Sequence, residues 1–227
     1  MKHILEADGI QLEFNGRKIL SSVYLKCETG KITGLLGRNG QGKSCLMNII
    51  YGSQTCEKSV RFDNQSQKSA FKRPDLLVYL PQFNFVPPRL SLERIFADYE
   101  LDYVEFEKIF PEFASKHKEK IGSLSGGTFR LIELYIILKQ QSQFALFDEP
   151  FTMLNPIQIE KIKALMLEEK KKKGLLITDH LYNHVLEISD ALYLLSNGRV
   201  VIANDLADIE NVGYAKTSTI TLEWLVK

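Results

Sequence analysis

The run GRNGQGKS, residues 37–44, sets three glycines ahead of a lysine and a hydroxyl residue. Gly37, Arg38, Asn39, Gly40, Gln41, Gly42, Lys43 and Ser44 satisfy G-x-x-x-x-G-K-[ST] in full. Backbone N–H groups at a helix start carry partial positive charge, and missing side chains let phosphate oxygens approach them closely. In such a loop the lysine, here Lys43, reaches the β- and γ-phosphates, and the hydroxyl of Ser44 ligates Mg²⁺. The bland alternative is a tight turn with Ser44 capping a helix. The flanks favour the phosphate loop: an apolar strand-like run over residues 32–36 precedes it, and SCLMNIIYG, a short helix stopped at Gly52, follows.

A second run, FALFDEP over residues 144–150, ends an apolar strand in two carboxylates, Asp148 and Glu149. Open α/β sheets bind ligands at the carboxyl edge, where these groups fall. Asp148 there can hold Mg²⁺ through its water shell, and Glu149 can polarise a water for in-line attack on a γ-phosphate. Taken alone, such acids are as often helix caps as catalysts. A third run, IGSLSGGTFR at residues 121–130, offers Ser125, Gly126 and Gly127 before an apolar helix, a second hydroxyl-and-glycine helix start that could meet phosphate.

The elements that must position these groups alternate between strand and helix signals. ILEADGIQLEF, KILSSVYLKCE and KITGLLG read as strands, with Asn15-Gly16 and Thr29-Gly30 at turns. LLVYL at 76–80 leads into a proline-bearing loop through Pro87-Pro88. Residues 91–120 carry apolar positions at helical spacing and predict a mainly helical insert, within bounds of about 88–140, while 129–140 predicts a buried helix. FALFD and GLLIT are uninterrupted apolar strands of a covered parallel sheet, joined by the helix PIQIEKIKALMLEEKKKK. Lys170 to Lys173 then form a solvated helix end that suits the macrodipole. ALYLLSNGRVVIA predicts a hairpin turning at Asn197-Gly198, and the twenty or so residues after it leave no room for an appended regulatory domain.

The 227 residues suit one α/β domain, and a formal charge of +1 argues against a dedicated nucleic-acid binder. Cys27, Cys45 and Cys56 lack the close pairing of a metal or disulfide framework and fit a reducing cytosol. No stretch approaches the ~20 apolar residues of a membrane span, and the start has no export-signal core.

Phosphate loop, LSGG and FDEP in this order and spacing resemble the nucleotide-binding subunit of an ATP-binding cassette (ABC) transporter, over about residues 3–205. The resemblance implies a P-loop NTPase core with a mostly parallel sheet, an N-terminal antiparallel β subdomain and an inserted α-helical subdomain. It implies ATP and Mg²⁺ as ligands, and a peripheral place on the cytoplasmic face of the membrane beside a separate transmembrane permease. Phe14 resembles the aromatic that stacks on adenine, although a strand phenylalanine is by default a core residue. Gln82 resembles the glutamine that touches Mg²⁺ or the attacking water and senses the membrane partner, and His180 the switch histidine on the γ-phosphate. Phe83, Phe85 and Val86 could contact that partner or be buried. In the family two chains, as a homodimer or heterodimer, assemble head to tail, so Ser125, Gly126 and Gly127 would act in trans.

Two departures stand out. Thr128 replaces the usual glutamine after LSGG, and Asn155 ends a loop that usually ends in aspartate, which implies weaker communication between sites. A soluble ABC ATPase of protein assembly or repair, and a switch that closes on ATP without turnover, are the alternative readings.

Overall fold

The computed structural model describes residues 2–203, so the expectation for the stretch after the hairpin lies outside the described residues. Two sheets carry the molecule. Strands β1 (Ile4–Phe14) and β2 (Arg17–Glu28) pair antiparallel, joined through the tight turn at Asn15-Gly16. β3 (Ile32–Leu36) leaves them for the second sheet and feeds the glycine loop and α1 (Lys43–Tyr51). β4 (Glu57–Phe62) and β5 (Gln65–Ser66) return to complete a four-stranded sheet of order β2-β1-β4-β5.

The second sheet adds β6 (Leu77–Leu80), β7 (Phe144–Asp148), β8 (Gly174–Thr178), β9 (Ala191–Ser196) and β10 (Arg199–Ile202), in the order β10-β9-β3-β8-β7-β6. Its pairs are parallel except the terminal β9-β10 hairpin. Every residue of β3, β6, β7 and β8 is buried, as uninterrupted apolar strands covered on both faces require. Strand alternation sorts these side chains into two cores. Phe144 and Leu146 pack with the four-stranded sheet and α1, whereas Ala145 and Phe147 pack with the helical side.

Between β6 and β7 lie α2 (Leu92–Asp98), α3 (Tyr103–Ile109) and α4 (Gly126–Lys139). Phe96, Phe106 and Phe110 pack around Tyr135 of α4, with the Phe106 and Tyr135 rings 4.8 Å apart, and Phe113 packs on Phe106 and Phe110 behind them. That cluster fastens the helical insert to α4. α4 begins three residues before the apolar run that predicted it, because Ser125 caps it by accepting from the Thr128 amide. Helices α5 (Pro156–Glu169) and α6 (Tyr182–Ile188) complete the layer on that face.

Lys171 and Lys172 are solvated as the helix-end reading expects, but the last lysine of the run departs from it. α5 stops at Glu169, and Lys173 is only 3% exposed. Its ammonium donates to the carbonyls of Leu138, at 2.9 Å, and Gln140. The last carbonyls of α4 lack intrahelical donors, and this lysine satisfies them, which the count of charges in sequence did not reveal.

Candidate functional site

The glycine loop is shaped by contacts that admit no side chain. A Cβ at Gly37 would lie 2.5 Å from the Leu195 carbonyl oxygen. Gly42, at φ +101°, is in the left-handed region, and a Cβ there would meet Ile19 at 2.8 Å. Lys43 starts α1 and folds back over the loop, donating to Gly37 O at 2.7 Å and Arg38 O at 3.3 Å. Burial lowers its pKa, against the opposing pull of Glu149, Asp148 and Asp179.

A polar corner adjoins the loop. Gln82, just past β6, donates from Nε2 to Ser44 Oγ at 3.0 Å and to Asp148 Oδ1 at 3.2 Å. Tyr79 donates to Asp148 Oδ2 at 3.2 Å. Burial raises the Asp148 pKa, and the hydrogen bonds from Ser44, Gln82 and Tyr79 counter that only in part. A serine hydroxyl, a carboxylate and an amide that presents oxygen when flipped form the hard oxygen set that suits Mg²⁺ alongside phosphate.

Glu149 follows at φ +52°, a left-handed conformation rare for a residue with a side chain. Its amide donates to Thr178 O at 2.7 Å, and His180 Nδ1 lies 3.6 Å from its Oε2. Phe14, Ile19, Asn39, Gly40, Gly42, Lys43, Ser44, Cys45, Gln82 and Glu149 wall a cleft of about 400 Å³. Phe14 is half exposed at its rim rather than in the core. Gly37, Arg38 and Gln41 border a separate cavity with Leu194 to Asn197. Ser125, Gly126 and Gly127 do not line the cleft of their own chain.

Sequence comparison places this geometry. The ABC transporter family model matches residues 20–152, more than half of the chain. The chain belongs to the ABC transporter family. It is an ATP-binding subunit of that family, an ATPase that energises transport. It is 30% identical to the lipopolysaccharide export system ATP-binding protein of Escherichia coli, over 87% of this chain and 88% of that one. It is 26% identical to a high-affinity branched-chain amino acid transport ATP-binding protein of Pseudomonas aeruginosa, over 88% and 91% respectively. A solved structure of an ATP binding subunit of an ABC transporter superposes with a TM-score of 0.79 at 21% identity, covering 98% of this chain and 99% of that one. No helix among the described residues is long and apolar enough to cross a membrane.

For an ABC transporter subunit, both sequence departures have local roles. Thr128 Oγ1 lies 2.8 Å from Ser125 Oγ, so the two hydroxyls share a hydrogen bond at the start of α4. Asn155 caps α5 in a reciprocal box: its side chain accepts from the Gln158 amide, and Gln158 Oε1 accepts from the Asn155 amide.

Three polar side chains escaped the sequence reading. Asp179, wholly buried, accepts from the amides of Phe151 and Leu181 and so joins the stretch after β7 to the stretch after β8. Arg130 and Glu133 lie buried on α4. Their signal was available, since two charges one turn apart in the otherwise apolar FRLIELYIIL require buried partners. Of the three candidate docking residues, Phe83 is 70% exposed, Phe85 is partly buried and Val86 is buried. Phe83 and Phe85 line a groove of about 390 Å³ with Tyr51, Phe71 and Tyr99.

Proposed function

We propose that this subunit binds ATP with Mg²⁺ in the Phe14–Glu149 cleft and hydrolyses it by positioning and charge stabilisation. The observation that carries the reading is the convergence of Lys43, Ser44, Gln82 and Glu149 on one cleft, with Asp148 hydrogen-bonded behind them. Phe14 stacks on the base, and the loop amides of Gly40 to Ser44 receive the phosphates. Lys43 exchanges its loop carbonyls for phosphate oxygens. Ser44, Asp148 and Gln82 would hold Mg²⁺, which when bound neutralises phosphate charge. Glu149 orients and polarises the attacking water, and His180, beside it, contacts the γ-phosphate.

Ser125, Gly126 and Gly127 serve a second copy, or a related subunit, joined head to tail. Their absence from the walls of their own cleft supports that arrangement. ABC ATP-binding subunits work with transmembrane permeases. We assign the permease contact to the aromatic groove beside Gln82, with the exposed Phe83 as its anchor, and the location to the cytoplasmic face of the membrane.

Steady-state ATPase of the purified chain, of Glu149→Gln and of Lys43→Ala tests the site. Glu149→Gln should bind ATP and lose about 10²-fold or more in turnover, and Lys43→Ala should lose nucleotide affinity. Equal slow turnover in wild type and Glu149→Gln would overturn the hydrolytic role. Unchanged affinity in Lys43→Ala would overturn the phosphate assignment.

A further inference from the structure

The loop bearing Gln82 is pinned at both ends by one turn of α4. Arg130, 4% exposed, donates from Nη1 to Pro81 O at 2.6 Å, immediately before Gln82. Glu133, 0% exposed, accepts through Oε1 from the amides of Phe85 at 2.6 Å and Val86 at 2.9 Å, just after it. The other arm of the Arg130 fork, Nη2, donates to Asp148 O at 2.7 Å and Glu149 O at 3.2 Å. The guanidinium therefore spans the Gln82 loop and the end of β7 with one rigid planar group, which no other side chain can do. It grips the carbonyls beside the strained Glu149, and such a conformation persists only when its surroundings over-determine it. The same helix is capped by Ser125.

We propose that Arg130 and Glu133 are positioning residues that make α4, the Gln82 loop and the Asp148–Glu149 strand end move as one body. Displacement of the helical insert, by a permease or by a partner's nucleotide, then reaches Gln82 and Glu149 together. Neither residue lines the nucleotide cleft, so both act through the backbone they hold. The proposal rests on the ATPase reading of the site.

The test uses the full chain with Arg130→Lys, Glu133→Gln and Glu133→Leu. Lysine offers a compact ammonium that cannot span both carbonyl sets, whereas the glutamine oxygen still accepts from both amides. Arg130→Lys and Glu133→Leu should lower kcat about 10-fold or more with ATP affinity within about 2-fold, and Glu133→Gln should restore most of the rate. Hydrogen exchange supplies a second readout that needs no turnover. Arg130→Lys should speed exchange at the Phe85 and Val86 amides, which Arg130 does not touch, and Glu133→Leu should speed it at Glu149. Unchanged kcat, parallel loss of affinity and kcat, or exchange changes confined to each residue's own contacts would overturn the clamp. If wild type shows no turnover, the ATPase reading fails, and the exchange pattern still decides the clamp. If Glu133→Leu does not fold, Arg130→Lys and Glu133→Gln decide it.

Discussion

Gln82 donates from Nε2 to Ser44 Oγ at 3.0 Å, so a side chain just beyond β6 closes on the first turn of α1. The same nitrogen reaches Asp148, which joins three separate chain segments in one polar corner. The amide presents nitrogen to a hydroxyl and a carboxylate. On the proposed Mg²⁺ reading, the amide would turn its oxygen inward and give up these two donated bonds.

Asp148 is ionised at a cost in that corner. Burial lifts its pKa above the usual 3.8, so the folded chain binds a proton there more readily than the unfolded one. Stability from this group is therefore greatest below pH 3.8 and falls as pH rises through the folded value. Asp148→Asn should raise the melting temperature of the nucleotide-free chain at pH 7, where the buried charge is removed. The same variant should lose the extra stabilisation conferred by ATP with Mg²⁺. Calorimetry with and without nucleotide measures both, and a lower melting temperature in the nucleotide-free variant contradicts the assignment.

Lys173 gives the opposite pH signature. Burial pushes its pKa down from 10.5 to about 8. Below about pH 8 both states are protonated and the buried charge carries its full cost; between 8 and 10.5 that cost is relieved, so stability rises with pH. Against Lys173→Met, wild type should gain on the order of 1–3 kcal/mol from pH 8 to pH 10. Urea denaturation across that range would count against burial if the difference stayed flat.

Gly127 and Gly126 should differ sharply on substitution. An added Cβ at Gly127 would fall 2.2 Å from the Met153 carbonyl oxygen, whereas at Gly126 it would meet only the Met153 sulfur at 3.4 Å. Backbone cannot swing aside as a thioether can. Gly127→Ala should cost about 1–3 kcal/mol and Gly126→Ala less than half of that, read by chemical denaturation. Equal costs would show that the Met153 loop yields freely.

Asn155 predicts a capping result. Asn155→Ala should lose about 1 kcal/mol and Asn155→Asp only a few tenths, because either short polar side chain accepts from the Gln158 amide. If Asn155→Asp also raises ATPase activity, the missing charge matters to the site as well as to the helix.

The sequence alone determined what depends on local chemistry. Gly37 to Ser44 were legible as a phosphate-loop motif because the glycine spacing and the strand and helix around it act within a few residues. The buried parallel strands were legible for the same reason, as FALFD and GLLIT are apolar throughout. Strand β4 and helix α6 were not read, since each is short and its periodicity is broken by polar residues. Only the tertiary structure brought Gln82 to Ser44, buried Lys173 against the end of α4, and let Arg130 grip two distant strand ends. Those contacts depend on which carbonyls and amides remain unsatisfied once the sheets pack, and that is decided by chain segments tens of residues apart.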